Sequence, residues 1–472
     1  MKYYAHSING EPKEKWQSLQ EHLENTANLL VEFSQGFCDA DYARNLGLFH
    51  DIGKYQKAFQ DRLDGSNKKV EHSIYGALDW LELGLPESGM YCIAGHHSGL
   101  PDIGTKVDPP QNSTLNARIK RGNLEKADYT YYKNELSLQR LADLKESKKF
   151  MSLDEAKEYA FWTRMMFSCL TDADFLDTEK FYNNSISRGN PIDFKVALAT
   201  LNNSINSFKP DSNINNTRNN LRMQVLSNLN VNSEIYFLNM PTGSGKTLTS
   251  MQFALNRAVA SSKKKIIYVI PFTSIIEQNA KVFKDILGEN AILEHHSNFD
   301  FINKINSTPT NTNTNTSIQD KLRLASENWD ADIIVTTNVQ FFQSLYGNRS
   351  RQVRKLHNIA NSIILFDEVH MLPTNFLQPC LEGIKILTQK YNCEAVFMSA
   401  TMPDFNNLFE EFEFKNIKTY DLIQNKSHFN KFKRCEIKNL TSISLGALTE
   451  SIQEQASSLV VVNKKSTAKA LY

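Results

Sequence analysis

Over the second half of the chain, short unbroken apolar runs alternate with segments of helical period. From Glu234 onward the runs are EIYFL, KIIYVI, DIIVTT, SIILFD and EAVFMS. Strands covered on both faces carry such sequence, so the pattern predicts a parallel sheet with helices packed against it. The first part reads differently. Ala43, Leu46 and Phe49 recur at three-residue spacing and the stretch from Ser152 to Phe167 is amphipathic, which predicts an all-α part extending to about Arg188. Between Pro191 and Asn232 the chain turns rich in Asn and Ser, a connector with some helix from Leu221 to Leu229. Asn306 to Ser317 (NSTPTNTNTNTS) has too little apolar surface to offset its ordering entropy and reads as a surface loop. Near the end, Cys435 to Ile437 and Leu459 to Val462 are strand candidates on either side of a helix from Ser444 to Ala456. The expected segments are therefore 1–188, 189–232, 233–425 and 426–472.

Composition narrows the function classes only slightly. A length of 472 residues allows two to four domains, and 41% hydrophobic with 22% charged residues is ordinary globular usage. With 53 Lys and Arg against 52 Asp and Glu, no overall basic field exists, so contact with a polyanion has to come from local patches. Six scattered cysteines form no C-x-x-C pair, which argues against a zinc ribbon and a disulfide framework. No apolar run reaches the roughly 18 residues of a membrane span, and the first residues lack an apolar signal core, so the expectation is a cytoplasmic protein with no membrane partner.

The chemistry begins where the run EIYFL meets Met240-Pro-Thr-Gly-Ser-Gly-Lys-Thr247 and then a helix. Strand, glycine loop and helix in that order form a phosphate cradle. Thr242, Gly243, Ser244 and Gly245 supply backbone N–H groups, Lys246 neutralises the outer phosphates and Thr247 offers a hydroxyl to Mg²⁺, which makes ATP the expected ligand. Met240 stands where the strict G-x-x-x-x-G-K-[ST] pattern has its first glycine. Further on, SIILF delivers Asp367-Glu368-Val369-His370 at its carboxyl end, where open parallel sheets bind ligands. Asp367 is suited to hold Mg²⁺ through water, and Glu368 to orient or deprotonate the attacking water. Ser399-Ala400-Thr401, with His370, suits a turn that relays nucleotide state. Thr273-Ser274 and Thr336-Thr337 end two other strands, where small hydroxyls suit contacts to a nucleic-acid backbone, or simple helix caps. Ordered as they are, these segments resemble motifs I, Ia, Ib, II and III of a superfamily 2 helicase. Adenine recognition has no clear signature here, only Arg222 and Gln224 upstream of the loop.

Six of the eleven histidines lie within the first 97 residues, at His6, His22, His50, His72, His96 and His97. His50-Asp51-Ile52-Gly53-Lys54 ends a helical stretch and resembles the signature of the HD metal-dependent phosphohydrolases. Adjacent helical side chains diverge by about 100°, so the His and Asp splay around a metal cluster while imidazoles from other helices complete each shell. The resemblance implies a ligand set of His22, His50, Asp51, His72, His96 and His97, closed by an aspartate of Leu170-Thr-Asp-Ala-Asp174, with Asp174 favoured over Asp172. It also implies that Asp51 is essential to catalysis and that Lys54 holds the scissile phosphate.

An HD domain followed by a DEVH-type helicase resembles the CRISPR-associated nuclease-helicases of type I interference systems. The implied fold is multidomain: an all-α HD domain (1–188), a connector (189–232), an α/β RecA-like ATP-binding domain (233–425) and the beginning of a second RecA-like domain (426–472). The implied activity is metal-dependent cleavage of single-stranded DNA, with Mn²⁺, Ni²⁺, Co²⁺ or Fe²⁺, coupled to ATP-driven 3′ to 5′ unwinding in antiviral defence. The implied partner is an RNA-guided CRISPR surveillance complex. Ser458 to Lys469 resembles motif IV, and motifs V and VI do not follow it. The expectation is a fragment, a truncated gene product or half of a split protein completed by a second chain, with slow ATP hydrolysis on its own. Two other readings stay open: an HD nucleotide phosphohydrolase with an attached ATPase, and a catalytically dead DNA-binding component.

Overall fold

The computed structural model describes residues 2–138, 152–184, 188–208, 212–296, 318–436, 438–439 and 441–471. The segment from Asn306 to Ser317, read as a surface loop, lies outside them. Residues Met1–Lys426 form one compact unit and Ser427–Tyr472 a second.

In the first unit, helices α1 (Leu19–Phe33), α2 (Ala40–Phe49), α3 (Lys57–Leu63), α4 (Ser73–Glu82), α5 (Glu87–Gly95), α6 (Leu115–Glu125), α7 (Tyr132–Glu135) and α8 (Leu153–Tyr182) form the helical part. Caps set the starts of three of them: Ser18, Asp39 and Ser152 accept hydrogen bonds from the first turns of α1, α2 and α8. The part is not wholly α, because β1 (Tyr4–His6) pairs antiparallel with β2 (Gln17–Ser18). Those strands are too short to show an alternating pattern. Gly47 allows α1 and α2 to meet backbone to backbone, since a Cβ there would lie 2.5 Å from Ala27 Cα.

Helices α9 (Phe194–Ser207) and α10 (Asn213–Ser227) lead into a seven-stranded sheet. Its strands are β3 (Ile235–Asn239), β4 (Lys265–Ile270), β5 (Leu293–His295), β6 (Ile333–Thr337), β7 (Ser362–Phe366), β8 (Glu394–Ser399) and β9 (Thr419–Asp421), in the order β5-β6-β4-β7-β8-β3-β9 with every pairing parallel. The five apolar runs are the five central strands. The two edge strands, of three residues each, carry no such run. Between strands come α11 (Lys246–Ser261), α12 (Thr273–Leu287), α13 (Ile318–Asn328), α14 (Asn338–Tyr346), α15 (Ser350–Val353), α16 (Leu377–Lys390) and α17 (Phe405–Glu411). The unit Ser427–Tyr472 holds helices Leu445–Gln453 and Lys465–Leu471. Its expected strand Leu459–Val462 is not formed: Leu459 and Val461 are almost fully exposed, and a lone strand has no ladder partner to satisfy its backbone. Cys435 and Glu436 are likewise outside any strand, and Ile437 is outside the described residues. No helix among the described residues is long and apolar enough to cross a membrane.

One buried apolar cluster runs from Leu19 of α1 through Phe167 of α8 to Phe397 of β8, so the helical part and the sheet share a core. Polar groups are buried along with it. Asp172 of α8, without exposed surface, accepts from Arg354 Nε at 2.8 Å and from Asn328 Nδ2 at 2.9 Å. Arg354 also lies over the Phe175 ring, 4.7 Å from its centroid. Removing one partner of such a pair leaves a charge that water cannot reach. Arg354→Ala is therefore expected to destabilise the protein by about 3–5 kcal/mol, whereas replacing both Arg354 and Asp172 by apolar residues recovers most of that loss. Urea unfolding of the three proteins checks it: a single variant that unfolds at the same denaturant concentration as the parent removes the pair from the stability of this fold.

Candidate metal centre and nucleotide cleft

α2 ends at Phe49, and the next two residues turn their side chains into the helical part. His50, Asp51, His22 and His96 have no exposed surface, and Asp174 is 5% exposed. Asp51 is the hub. Its Oδ2 lies 3.5 Å from His22 Nε2 and 3.4 Å from His50 Nε2, while its Oδ1 lies 3.3 Å from His96 Nε2 and 3.5 Å from His72 Nε2. Asp174 Oδ1 faces the first pair, 3.5 Å from His22 Nε2 and 3.8 Å from His50 Nε2. His97 Nε2 joins the other side, 2.9 Å from His72 Nε2. Two groups of ligand atoms result: His22, His50, Asp51 and Asp174, fully buried, and Asp51, His72, His96 and His97, which opens toward solvent at His97. Every residue read as a metal ligand thus falls in one of the two groups, and Asp51 belongs to both.

The imidazoles are aimed by what their other nitrogens touch. His50 Nδ1 donates to Gly47 O at 2.6 Å, His96 Nδ1 to Ile93 O at 2.7 Å and His22 Nδ1 to Asp177 Oδ2 at 2.7 Å. Carbonyl and carboxylate oxygens only accept, so each Nδ1 carries the proton and each Nε2 faces the cluster. His22 Nε2, His50 Nε2, His96 Nε2 and both Asp51 oxygens are buried without a hydrogen-bond partner in good geometry. That many orphaned polar atoms in one place is costly for a folded interior. Nitrogen and carboxylate donors of this kind suit divalent transition ions, and the residues fit such a group.

Lys54 is also buried, with Nζ 2.7 Å from Asp51 Oδ2. It balances the Asp51 charge here, so contact with a phosphate requires the ammonium to leave that carboxylate. Burial on its own raises the Asp51 pKa, but Lys54, His50, His22 and His96 outweigh it and hold the carboxyl well below its usual range. Asp174 is held low in the same way by His50 and His22 against its burial. Burial lowers His72 to about 4, which keeps it neutral. For His22 and His96, burial is overcome by the attraction of neighbouring carboxylates, Asp177 and Asp51 for the first and Asp51 for the second, and both pKa values rise. Gly53 is required by close approach: a Cβ there would lie 2.0 Å from His72 O.

Sequence reasoning missed the outer partners. Asp177 accepts from His22, from Gln17 Nε2 at 2.7 Å and from Asn25 Nδ2 at 2.8 Å. It stands three residues after Asp174, one helical turn along α8, which is the signal that could have found it. Asp172 points away from the cluster to Arg354. His6 lies beside the centre but in neither group: its ring meets His22 edge-on with centroids 5.0 Å apart.

The second site is a cavity of about 890 Å³ at the carboxyl end of the sheet, lined by Thr242 through Thr247, Asp367 and Glu368. Gly243 and Gly245 have φ of 79° and 88°, the left-handed region that glycine enters without strain, and α11 starts at Lys246. Lys246 Nζ is 2.6 Å from Glu368 Oε1 and 3.3 Å from Asp367 Oδ1. Incoming phosphates therefore compete with these carboxylates for the ammonium. Asp367 also accepts from Tyr268 OH at 3.0 Å. Glu368 has φ of 43°, a strained position for a side-chain-bearing residue, and it leads to His370, whose Nδ1 is 2.9 Å from Ser399 Oγ. Ser399 Oγ accepts from Thr401 N at 3.0 Å, so Lys246, Glu368, His370, Ser399 and Thr401 are contiguous.

Other expected contacts are placed elsewhere. Thr336 is fully buried with its hydroxyl donating to His295 O, and Thr337 caps α14 by accepting from Gln340 N. Both hydroxyls are committed within the fold. Thr273 starts α12 and is half-buried, and the Ser274 side chain is outside the described residues. Gln224 Oε1 accepts from Asn425 N, whereas Arg222 lines the cleft with Asn215, Arg218 and Asn219 of α10. Their spacing of three, four and seven residues puts them on one helical face, a helical periodicity rather than a motif.

A family model described as DEAD/DEAH box helicase matches residues 220–409, and one described as HD domain matches residues 19–143. The CRISPR-associated nuclease/helicase Cas3 of Haloferax volcanii is 30% identical over 177 residues, which are 35% of this chain and 19% of that protein. A putative CRISPR-associated nuclease/helicase Cas3 of Methanocaldococcus jannaschii is 25% identical over 210 residues, 43% of this chain and 26% of that one. The crystal structure of T. fusca Cas3 with AMPPNP matches at a TM-score of 0.54 and 15% identity, covering 85% of this chain and 50% of that one, a likeness of fold. The chain thus spans about half the length of that structure, and the matched regions about a fifth to a quarter of the curated relatives.

The raised pKa values of His22 and His96 would make ion binding at the candidate metal centre depend on pH. In the ion-free protein a raised histidine pKa contributes stability below the unfolded value of about 6.5, lost as pH rises through the folded value. Ligation needs the neutral ring, so binding displaces those protons and weakens as pH falls. The rise in melting temperature produced by saturating Mn²⁺ should be larger at about pH 8 than at about pH 6. An equal increment at both would mean that these imidazoles do not bind the ion.

Proposed function

We propose that this chain, which matches an HD domain followed by a DEAD/DEAH-box helicase domain and resembles Cas3 in sequence and fold, cleaves single-stranded DNA at its metal centre beside an ATP-driven motor lobe. The observation that carries the reading is the Asp51 carboxylate, whose two oxygens face two separate groups of candidate ligands in one largely buried cluster. Divalent ions held there supply the charge that lowers the pKa of a water and neutralises a phosphodiester. Asp51, His22, His50 and Asp174 fix the enclosed position, and His72, His96 and His97 the one nearer solvent, from which a strand approaches. Lys54, released from Asp51, is in reach of a phosphate entering the pocket and would hold it. Asp177 keeps His22 in the tautomer that ligation needs.

In the motor lobe, Thr242 to Thr247 hold the phosphates of ATP, Asp367 holds Mg²⁺ and Glu368 orients the attacking water. His370, Ser399 and Thr401 pass the state of Glu368 toward the DNA-facing surface. The biological setting that fits is antiviral defence, with the target strand displaced by an RNA-guided surveillance complex and unwound 3′ to 5′.

Circular single-stranded DNA and free nucleotides, each incubated with Mn²⁺ or Ni²⁺ and with or without ATP, separate strand cleavage from nucleotide hydrolysis. The circle should be cut by the parent protein and by Lys246→Ala. Asp51→Ala should lose more than the roughly 10- to 100-fold that even outer metal partners cost. Cleavage persisting in Asp51→Ala, or consumption of nucleotides with the circle intact, would sink the reading.

A further inference from the structure

The two ligand groups differ in what holds them. His22, His50 and Asp174 sit on or directly after α1, α2 and α8, and their outer contacts, Asp177 and Gly47, belong to the helical part itself. His96 and His97 sit instead on the turn after α5, and that turn is gripped from the sheet part. Ser350 Oγ, in a residue 7% exposed, donates to His96 O at 2.8 Å. Two residues earlier in the same loop, Asn348 O accepts from Leu100 N at 2.8 Å. Between these contacts Gly99, with φ of 102°, passes so close that a Cβ would lie 2.5 Å from Asn348 O. The loop is itself pinned, because Arg164 of α8 donates to Gly347 O. On the other flank Arg118, also buried, donates to Ala94 O at 2.6 Å and to Ser73 Oγ at 2.9 Å, tying the end of α5 to the start of α4 beside His72.

The His96–His97 turn is thus clamped by Arg118 from its own side and by residues 347–350 from the sheet part. A turn that supplies two of four ligands through backbone held at both ends has its ligand geometry set by those holds. We propose that Ser350 is a positioning residue for the second ion. Its bond to the His96 carbonyl fixes the turn so that His96 and His97 close with His72 and Asp51, while the first position is complete without it. This rests on the metal reading above and assigns part of that centre to the helicase side of the chain: the loop ends α14, which starts from the Thr337 cap at the carboxyl end of β6.

Manganese titration of the full chain, by calorimetry and by electron paramagnetic resonance, tests it. The parent should bind Mn²⁺ in two steps and show the signal of a coupled pair. Ser350→Ala should keep the first step, weaken the second by roughly 10-fold or more and show an isolated ion, and Ser350→Thr, which retains the hydroxyl, should restore the pair. Ser350→Ala with both steps unchanged, or with both weakened together, overturns the proposal. A parent chain that binds no Mn²⁺ overturns the metal reading itself, and the proposal with it, a result distinct from either Ser350 outcome.

Discussion

A carboxylate with no exposed surface has to be met by positive charge, and the helical part gathers around Asp51 both the Lys54 ammonium and the imidazole nitrogens that would hold a cation beside it. Three imidazole nitrogens, a fourth at the rim and the Lys54 ammonium converge on its two oxygens from four separate places in the chain. The close helix contact at Gly47 and the near collision at Gly53 are the backbone side of the same constraint, since the histidines can gather only if the segments carrying them touch. Buried charge of this density is weak evidence for stability and better evidence for use.

The two sites handle charge in parallel ways. At the metal centre Lys54 balances the aspartate, and in the cleft Lys246 balances Asp367 and Glu368. Each lysine is thereby held within its pocket by the carboxylates that divalent ions or phosphates would engage. Ligand entry at either site would exchange existing ion pairs for new ones, which limits the desolvation cost. The strained backbone of Glu368 places its carboxylate between Lys246 and His370, so the same residue faces the cleft and the relay.

Much of this was legible in the sequence, for identifiable reasons. Five strands announced themselves because burial on both faces demands unbroken apolar runs, and β5 and β9 did not, because a short edge strand carries no such demand. The histidines that gather around Asp51 could be picked out from residue type and order along the chain. What the sequence withheld depends on partners far away in it. Asp177 is one turn from Asp174 but matters through His22, 155 residues distant, and Ser350 acts on His96 across 254 residues. The hydroxyls of Thr336 and Thr337 suited either a nucleic-acid backbone or a helix cap, and the fold decides between them: Thr337 is a cap and Thr336 donates to a neighbouring carbonyl.

Helix α8 carries Asp172, Asp174 and Asp177 to three destinations: Arg354, the enclosed ligand group and His22. At about 100° per residue these acids sit at fixed azimuths on one rigid rod, so their targets cannot be adjusted one at a time. Deleting or inserting a single residue upstream within the rod would rotate all three together, unseating the domain joint and the ligand shell at one stroke. The length of the helix before Asp172 is therefore constrained to whole turns, independently of which side chains occupy its exposed face.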